Sequence, residues 1–577
     1  MTPLTREAFL EKVKAGESLA DTRLQSIDVS GETLGRIDLS GATLIGCNFS
    51  RCDMTGSNLA RSSWINGELE GATLASADLT QAKLVMTTVE GLDLRNANLT
   101  QTNFTEGKLK GAQLAGATLV GTSLARADLT GVSFEGLTLD TVVMHGARAA
   151  RADFSGATLV TCALTECYLA WSRFRDAKVS NSLLSGSDLR AADCSEAVFE
   201  GVNLSDTDLR SAILPHRMTR VLLQNANLGT GDFAGKEMAE TDLDGHDLSG
   251  ANLEGCNLEL ASLAGANLRD ARLDGASLSH ASLSNADLSN VDLTQTTLTM
   301  ATLDGANLSG AKLAGLELEA VMFTKANLNG ADLSGAQLLR CILEDADLTD
   351  ANLERAMVTS STLTRANLSG TRIEGAIFDS AMFEQVDLKA VPLTSATHLR
   401  SVFFECDLSG MDLSGGVFRD CNFTRADLSR AKFTKADCSR ATFDGADLRL
   451  CSFHEARAKG AYFGKATMTS AVLTKANLAN AVFNEAVMTQ AHFEGADMQC
   501  AVLERAQADG AFFVGANLDM ADLSHANVEK ADFRDAALKL ATLHALRDDG
   551  AVFTGSSRAL ARPTDVDRLE ADGWQPA

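Results

Sequence analysis

Proline, tyrosine and tryptophan are scarce in this 577-residue chain, at 5, 2 and 3 residues, and aromatics make up only 5% of it. No apolar run approaches the ~18 residues that cross a bilayer, so a membrane span is not expected. Met1–Thr5 opens no signal peptide. Basic residues number 51 against 76 acidic ones, and a net charge of −25 argues against direct nucleic-acid binding, which needs a basic footprint. There is no CxxC pair, no HExxH and no Cys/His spacing of a zinc site. Phosphate-loop and nucleophile-elbow motifs are missing as well. The expectation is therefore a non-enzyme with no cofactor, no metal and no catalytic residues. It should be cytoplasmic, or exported by a route that uses no signal peptide.

What the chain does have is 45% hydrophobic residues, enough for a core, and 46 glycines. It also has a period. A large apolar residue, here called i, returns every fifth position from Leu19 to Leu214 and then, one residue out of phase, from Leu223 to Phe553. Of these 107 positions 100 hold Leu, Phe, Met, Val, Ile or Trp, the exceptions being Ala149, Cys194, His398, Cys438, Ala458, Ala508 and Asp548. A period of five smears apolar residues around a helix and flips the face of a long strand at every repeat. It suits a short extended piece closed by a turn. Then i−2, usually Ala, and i face one interior, while i−1 points outward. Nine of the 12 cysteines fall at i−2 and two at i, as small buried apolar residues would; Cys500 lies outside both phases.

The A-(D/N)-L-x-x pattern, as in residues 285–313, resembles the pentapeptide-repeat family over most of the chain. That likeness implies an all-β fold, a right-handed, four-sided parallel β-helix of four repeats per coil, hence about 27 coils. From residue 233 onward 14 of the 18 Phe, among them Phe383, Phe403, Phe423, Phe433 and Phe443, are separated from one another by multiples of ten residues, with smaller residues at most intervening positions. On four sides this sets Phe on opposite walls and keeps the layer volume even.

The expected organisation is an N-terminal helical cap over 1–18, a first array over 19–214, and a break in register at 215–222. A second array follows over 223–553, disturbed at 394–402, and then an irregular tail over 554–577. Leu4, Phe9, Leu10 and Val13 of the cap are placed to cover the first coil, with Gly16 as a stop. Asp242, Asp244 and Asp247 imitate a calcium loop, but Asp242 and Asp247 are i−1 residues of successive repeats and read as structural.

Outward positions 20 apart should stack on one side and be polar. Ile45, Ile65 and Val85 break that rule, with Met86 adjacent and Trp64 beside Ile65. So do Tyr168 and Trp171 beside Arg173 and Arg175, a composition favoured at interfaces. These two groups are the expected partner-binding surfaces. Cys500, Met520 and Leu540 form a third stripe, expected to be a homodimer contact or to be covered by the tail through Leu569 and Trp574.

The expected function is that of an elongated protein–protein interaction scaffold or adaptor. The opening residues 4–19 are similar to leaders of type VI secretion accessory proteins, which implies a bacterial secretion link. The alternative is an acidic DNA mimic bound to a type II topoisomerase, as the family resemblance implies. Residues 201–350, with 22 acidic and 9 basic residues, would carry it.

Overall fold

Five backbone amides per repeat must find acceptors, and the repeat around Leu39 shows how they do. In this computed structural model, which describes residues 4–229 and 231–572, the Leu39 and Gly41 N–H groups donate to the next coil, to Asn58 and Ala60 O. The Thr43 N–H donates to Thr22 O of the previous coil, and the Ala42 N–H closes the turn on Leu39 O at 3.0 Å. The fifth, Ser40 N–H, goes to Asp38 Oδ1 at 3.1 Å. The i−1 Asp or Asn is thus a turn cap, which is why the motif asks for it. The i+2 residue takes a positive φ, 66° at Gly41, as the third residue of such a turn must.

Coils pair in parallel with a 20-residue register: Leu24 lies beside Leu44 and Leu44 beside Trp64. Four five-residue repeats therefore make each coil, and the fold is a parallel β-solenoid. Two compact units are distinguished, one through Asn267 together with Ala271–Ser282, the other Leu268–Asp270 with Leu283 onward. In the first unit, β1 (Arg23–Gln25), β2 (Thr43–Ile45) and β3 (Ser63–Ile65) form one sheet. A second sheet there is β4 (Leu119–Val120), β5 (Thr138–Asp140), β6 (Thr158–Val160), β7 (Lys178–Ser180), β8 (Val198–Glu200) and β9 (Arg217–Thr219). The second unit carries β10 (Glu317–Glu319), β11 (Gln337–Leu339), β12 (Met357–Thr359), β13 (Ile377–Asp379), β14 (Thr397–Leu399) and β15 (Val417–Arg419) in chain order. Elsewhere the coils meet through single bridges.

The cores follow the phase. Phe383, Phe403, Phe423 and Phe443 stack at 4.9–5.1 Å with planes within 7° of parallel. Phe433 and Phe453 of the facing column meet them edge to face. The expected alternation of bulk is what brings the two columns into contact.

The cap is α1 (Arg6–Lys14), with Thr5 as N-cap and Phe9 fully buried 5.8 Å from Phe49. The loss of register falls within residues 215–217. β8 pairs β9 with Phe199 beside Met218, 19 residues on, so the inward phase resumes at Met218 and not first at Leu223. The shortened coil leaves the Leu214 and Pro215 carbonyls to Lys236, whose Nζ donates to them at 3.1 and 3.2 Å. Lys236 occupies a small-residue i−2 position, and burial lowers its pKa. At 394–402 the 20-residue pairing persists, Ile377 beside Thr397. Pro392 at i−1 has no N–H to give the ladder, and a 3₁₀ turn over Leu393–Ser395 follows it.

Candidate partner surfaces

An outward side chain on a solenoid is flanked by the same position of the coils before and after, so a surface is best read column by column. Ile45 lies beside Ile65 in the β2–β3 ladder. Ile65 and Met86 are 44% and 64% exposed, while Ile45 and Val85 are half-buried. Trp64 needs correction. It is 1% exposed, points inward 5.1 Å from Phe49, and satisfies its indole N–H on Ser62 Oγ at 3.1 Å. A partner cannot touch it. Its bulk is admitted because the i−2 residue beside it is Gly67, where a Cβ would lie 3.1 Å from the ring.

Tyr168 stands in a column between Arg148 and Asp188, and Trp171 occupies a turn with φ 60°. Both rings are exposed, Trp171 by 53%. Arg173 pairs with Asp153 at 3.3 Å and Arg175 with Asp176 at 3.7 Å; both guanidinium groups stay on the surface. Next to Tyr168, Arg190 grips Asp188 in a two-pronged contact at 2.9 and 2.7 Å. That contact lowers the Asp188 pKa. Two amphipathic rings beside two arginines on pre-formed turns can accept a flat protein surface at little cost in ordering.

At the far end, Met520 and Leu540 remain 48% and 43% exposed and Cys500 half-exposed. The described tail does not cover them: Leu569 is itself exposed, and Trp574 lies outside the described residues. Instead the tail extends the ladder, the Arg562 N–H donating to Ala541 O, and then forms α2 (Val566–Asp572).

One cluster was not expected. Asp572 Oδ2 lies 3.0 Å from His525 Nε2 and 2.9 Å from His544 Nε2, and His544 is buried. Among the described residues this is the one group with metal-ligand proximity. The Asp565 N–H, however, donates to His544 Nδ1 at 3.2 Å. That leaves the ring proton on Nε2, where a metal would need a lone pair. The arrangement is a hydrogen-bonded clasp that ties the tail to the last coils, and both histidines lower the Asp572 pKa, His544 more. The only sequence signal for it was two histidines 19 residues apart.

The cysteines at i−2 do more than fill space. Cys52, Cys167 and Cys406 each donate an S–H to the carbonyl of residue i one coil earlier, at 2.9 Å. Thr102 and Ser187 use the same acceptor position. Burial pushes the Cys167, Cys341 and Cys421 thiols up to about 12. Two surface hollows, of 530 Å³ around Asn227 and Asp247 and 470 Å³ around Arg430 and Arg449, bring no nucleophile and base together. Among the described residues no helix is long and apolar enough to cross a membrane.

This chain belongs to the pentapeptide-repeat proteins. The family model "Pentapeptide repeats (8 copies)" matches it again and again, from residues 18–56 through 496–535. "Pentapeptide repeat region" matches residues 57–134. A pentapeptide repeat protein of the Arabidopsis thaliana thylakoid lumen is 32% identical over 18% of this chain and 67% of its own, with a TM-score of 0.16. HetL, a pentapeptide repeat protein involved in heterocyst differentiation regulation in the cyanobacterium Nostoc, is 21% identical over 60% of this chain and 95% of its own, with a TM-score of 0.14. QnrB1, a plasmid-mediated fluoroquinolone resistance protein, is 21% identical over 38% of this chain and 93% of its own, with a TM-score of 0.22. No curated protein sequence matches the chain. Membership among type VI secretion accessory proteins has no support from these comparisons.

Proposed function

We propose that this protein is a non-catalytic interaction scaffold. Its partners bind the Ile45–Ile65–Val85–Met86 stripe and the Tyr168, Trp171, Arg173 and Arg175 cluster. The observation that carries this reading is that Ile45 and Ile65 lie in register and that Ile65, Met86, Tyr168 and Trp171 are exposed at outward positions that mostly hold polar residues. Of adaptor roles, one in a bacterial secretion system is the role to which the opening segment is similar.

DNA mimicry has less behind it, because the acidic groups already serve the fold. Glu344 and Asp345 are held by Arg365. Asp247 and Asp347 cap the turns of Ser249 and Thr349. Asp244 accepts from Ser262 and Ala264 one coil on.

The test is affinity capture from the native host with Ile65→Asp and Trp171→Asp variants. Both sites point away from the core, so circular dichroism and melting should be unchanged while the captured partner is lost. Secretion components among the captured proteins support the adaptor role, and topoisomerase subunits would shift the reading to mimicry. Retention of every partner by both variants overturns the proposal.

A further inference from the structure

The β10–β15 sheet has an outer face unlike the rest of its unit. Between residues 320 and 420 five large apolar side chains are exposed, Leu339, Ile342, Met357, Ile377 and Met382, each by 37–46%. All five sit on this sheet or on the columns just around its corner. The two remaining sides of the same coils carry Asp332, Asn352, Arg372 and Asp412, and Asn327, Asp347, Asn367, Asp387 and Asp407, in those outward places. The i−1 column around the corner runs Met322, Ile342, Thr362, Met382, Val402 without a charge. Scattered exposed apolar residues are ordinary, but a concentration on one of four sides is a patch.

The charges at its ends say what covers it. Glu317 and Glu319 lie on the first strand and Arg419 on the last; the one other charge on the strands, Asp379 of β13, is paired with Arg400. Glu319 pairs with Arg340, and Arg419 with Asp437 at 2.7 Å, yet Glu319 and Arg419 keep 47% and 52% of their side chains exposed. Consider two such sheets face to face, about 10 Å apart. A two-fold axis along the strands, between β12 and β13, reverses the order of coils. It sets Glu319 of one copy opposite Arg419 of the other, Leu339 opposite Leu399, and Met357 opposite Ile377. It also brings Ile342 and Met382 of both copies to one edge of the contact. The other face-to-face two-fold, along the coil axis, would oppose Glu317 to Glu319 and is disfavoured by like charge.

We propose that the β10–β15 face is a homodimer contact, occupied by a second copy of this chain related by a two-fold axis parallel to the strands. The face is distinct from both partner surfaces above and from the stripe at Met520 and Leu540. Six strands span about 25 Å at the usual spacing. With the corner columns the contact is of the order of 500 Å² per copy, below the roughly 800 Å² of a standard interface. The dimer is therefore reversible, with dissociation in the micromolar range.

Sedimentation velocity of the full chain across about 1–100 µM tests this. The expected result is a monomer–dimer equilibrium that Ile377→Asp weakens at least tenfold, with circular dichroism and melting unchanged. Glu319→Arg should weaken it too, and adding Arg419→Glu should restore it, since the swapped charges again oppose one another. A chain that stays monomeric throughout overturns the proposal. So does a dimer indifferent to Ile377→Asp but lost on Leu540→Asp, or a double swap that fails to recover association.

Discussion

His398 replaces an apolar residue at an inward position, and its protonation should limit the acid stability of the coils around it. The ring is fully buried and stacked between Phe378 and Phe418, at 5.3 and 5.2 Å with planes within 7° of parallel. Nε2 hydrogen-bonds Leu393 O at 3.0 Å, while Nδ1 has no partner. Burial lowers its pKa to about 4 from 6.5. Between those values the unfolded chain takes up a proton that the folded one refuses, so stability is full above about pH 6.5 and declines as pH falls toward 4. From about pH 7 to about pH 5 the loss is on the order of 2 kcal/mol. Stability is local in a solenoid, so the assay is native-state hydrogen exchange at the Arg400 and Phe403 amides, which donate to Arg419 and Asn422 in the next coil. Their opening free energies should fall by that amount in the natural chain and stay level in His398→Phe. Leu393 O keeps its bond from the Ala396 N–H in that variant, so no carbonyl is orphaned. Equal pH dependence in both proteins would refute the reasoning.

Gly67→Ala should destabilise the first coils by about 1–3 kcal/mol through overpacking against Trp64. The penalty should shrink in a Trp64→Leu background, as a double-mutant cycle of thermal unfolding would reveal. Lys236→Met should cost about 1–3 kcal/mol by leaving the Leu214 and Pro215 carbonyls unpaired, read as loss of exchange protection around Met218. Alkylation of the native protein near pH 8 should label Cys500 alone, because burial keeps the other eleven thiols protonated or inaccessible; peptide mass mapping that finds Cys167 or Cys421 labelled at a similar rate would contradict this.

The period of five exposed the core because two interior positions per repeat obey one steric rule, and even His398 keeps the phase. The same rule accounts for the misplacement of Trp64. It stands at i and is inward, and only its neighbour Ile65 faces out; the space for its ring comes from Gly67, three residues on. The loss of register was legible as a slipped phase. Its narrowness was not, since Met218 is flanked by Pro215, His216 and Arg217 and looked like part of the disturbance. Contacts with the tail were beyond periodicity altogether. His544 is outward by phase and buried only because residues 564–572, which do not repeat, fold over it. The β10–β15 face could have been read from columns 20 apart at i−1, where Met322, Ile342, Met382 and Val402 replace the usual Asp or Asn.

The scaffold reading stands or falls on whether partners meet the outward apolar columns. A photo-crosslinking amino acid placed at Ile65, at Trp171 and, as a control, at the exposed Lys110 tests that in the native host. The account predicts adducts of discrete mass from the first two positions and none from the third. No adduct at Ile65 and Trp171, or the same adducts at Lys110, would contradict it.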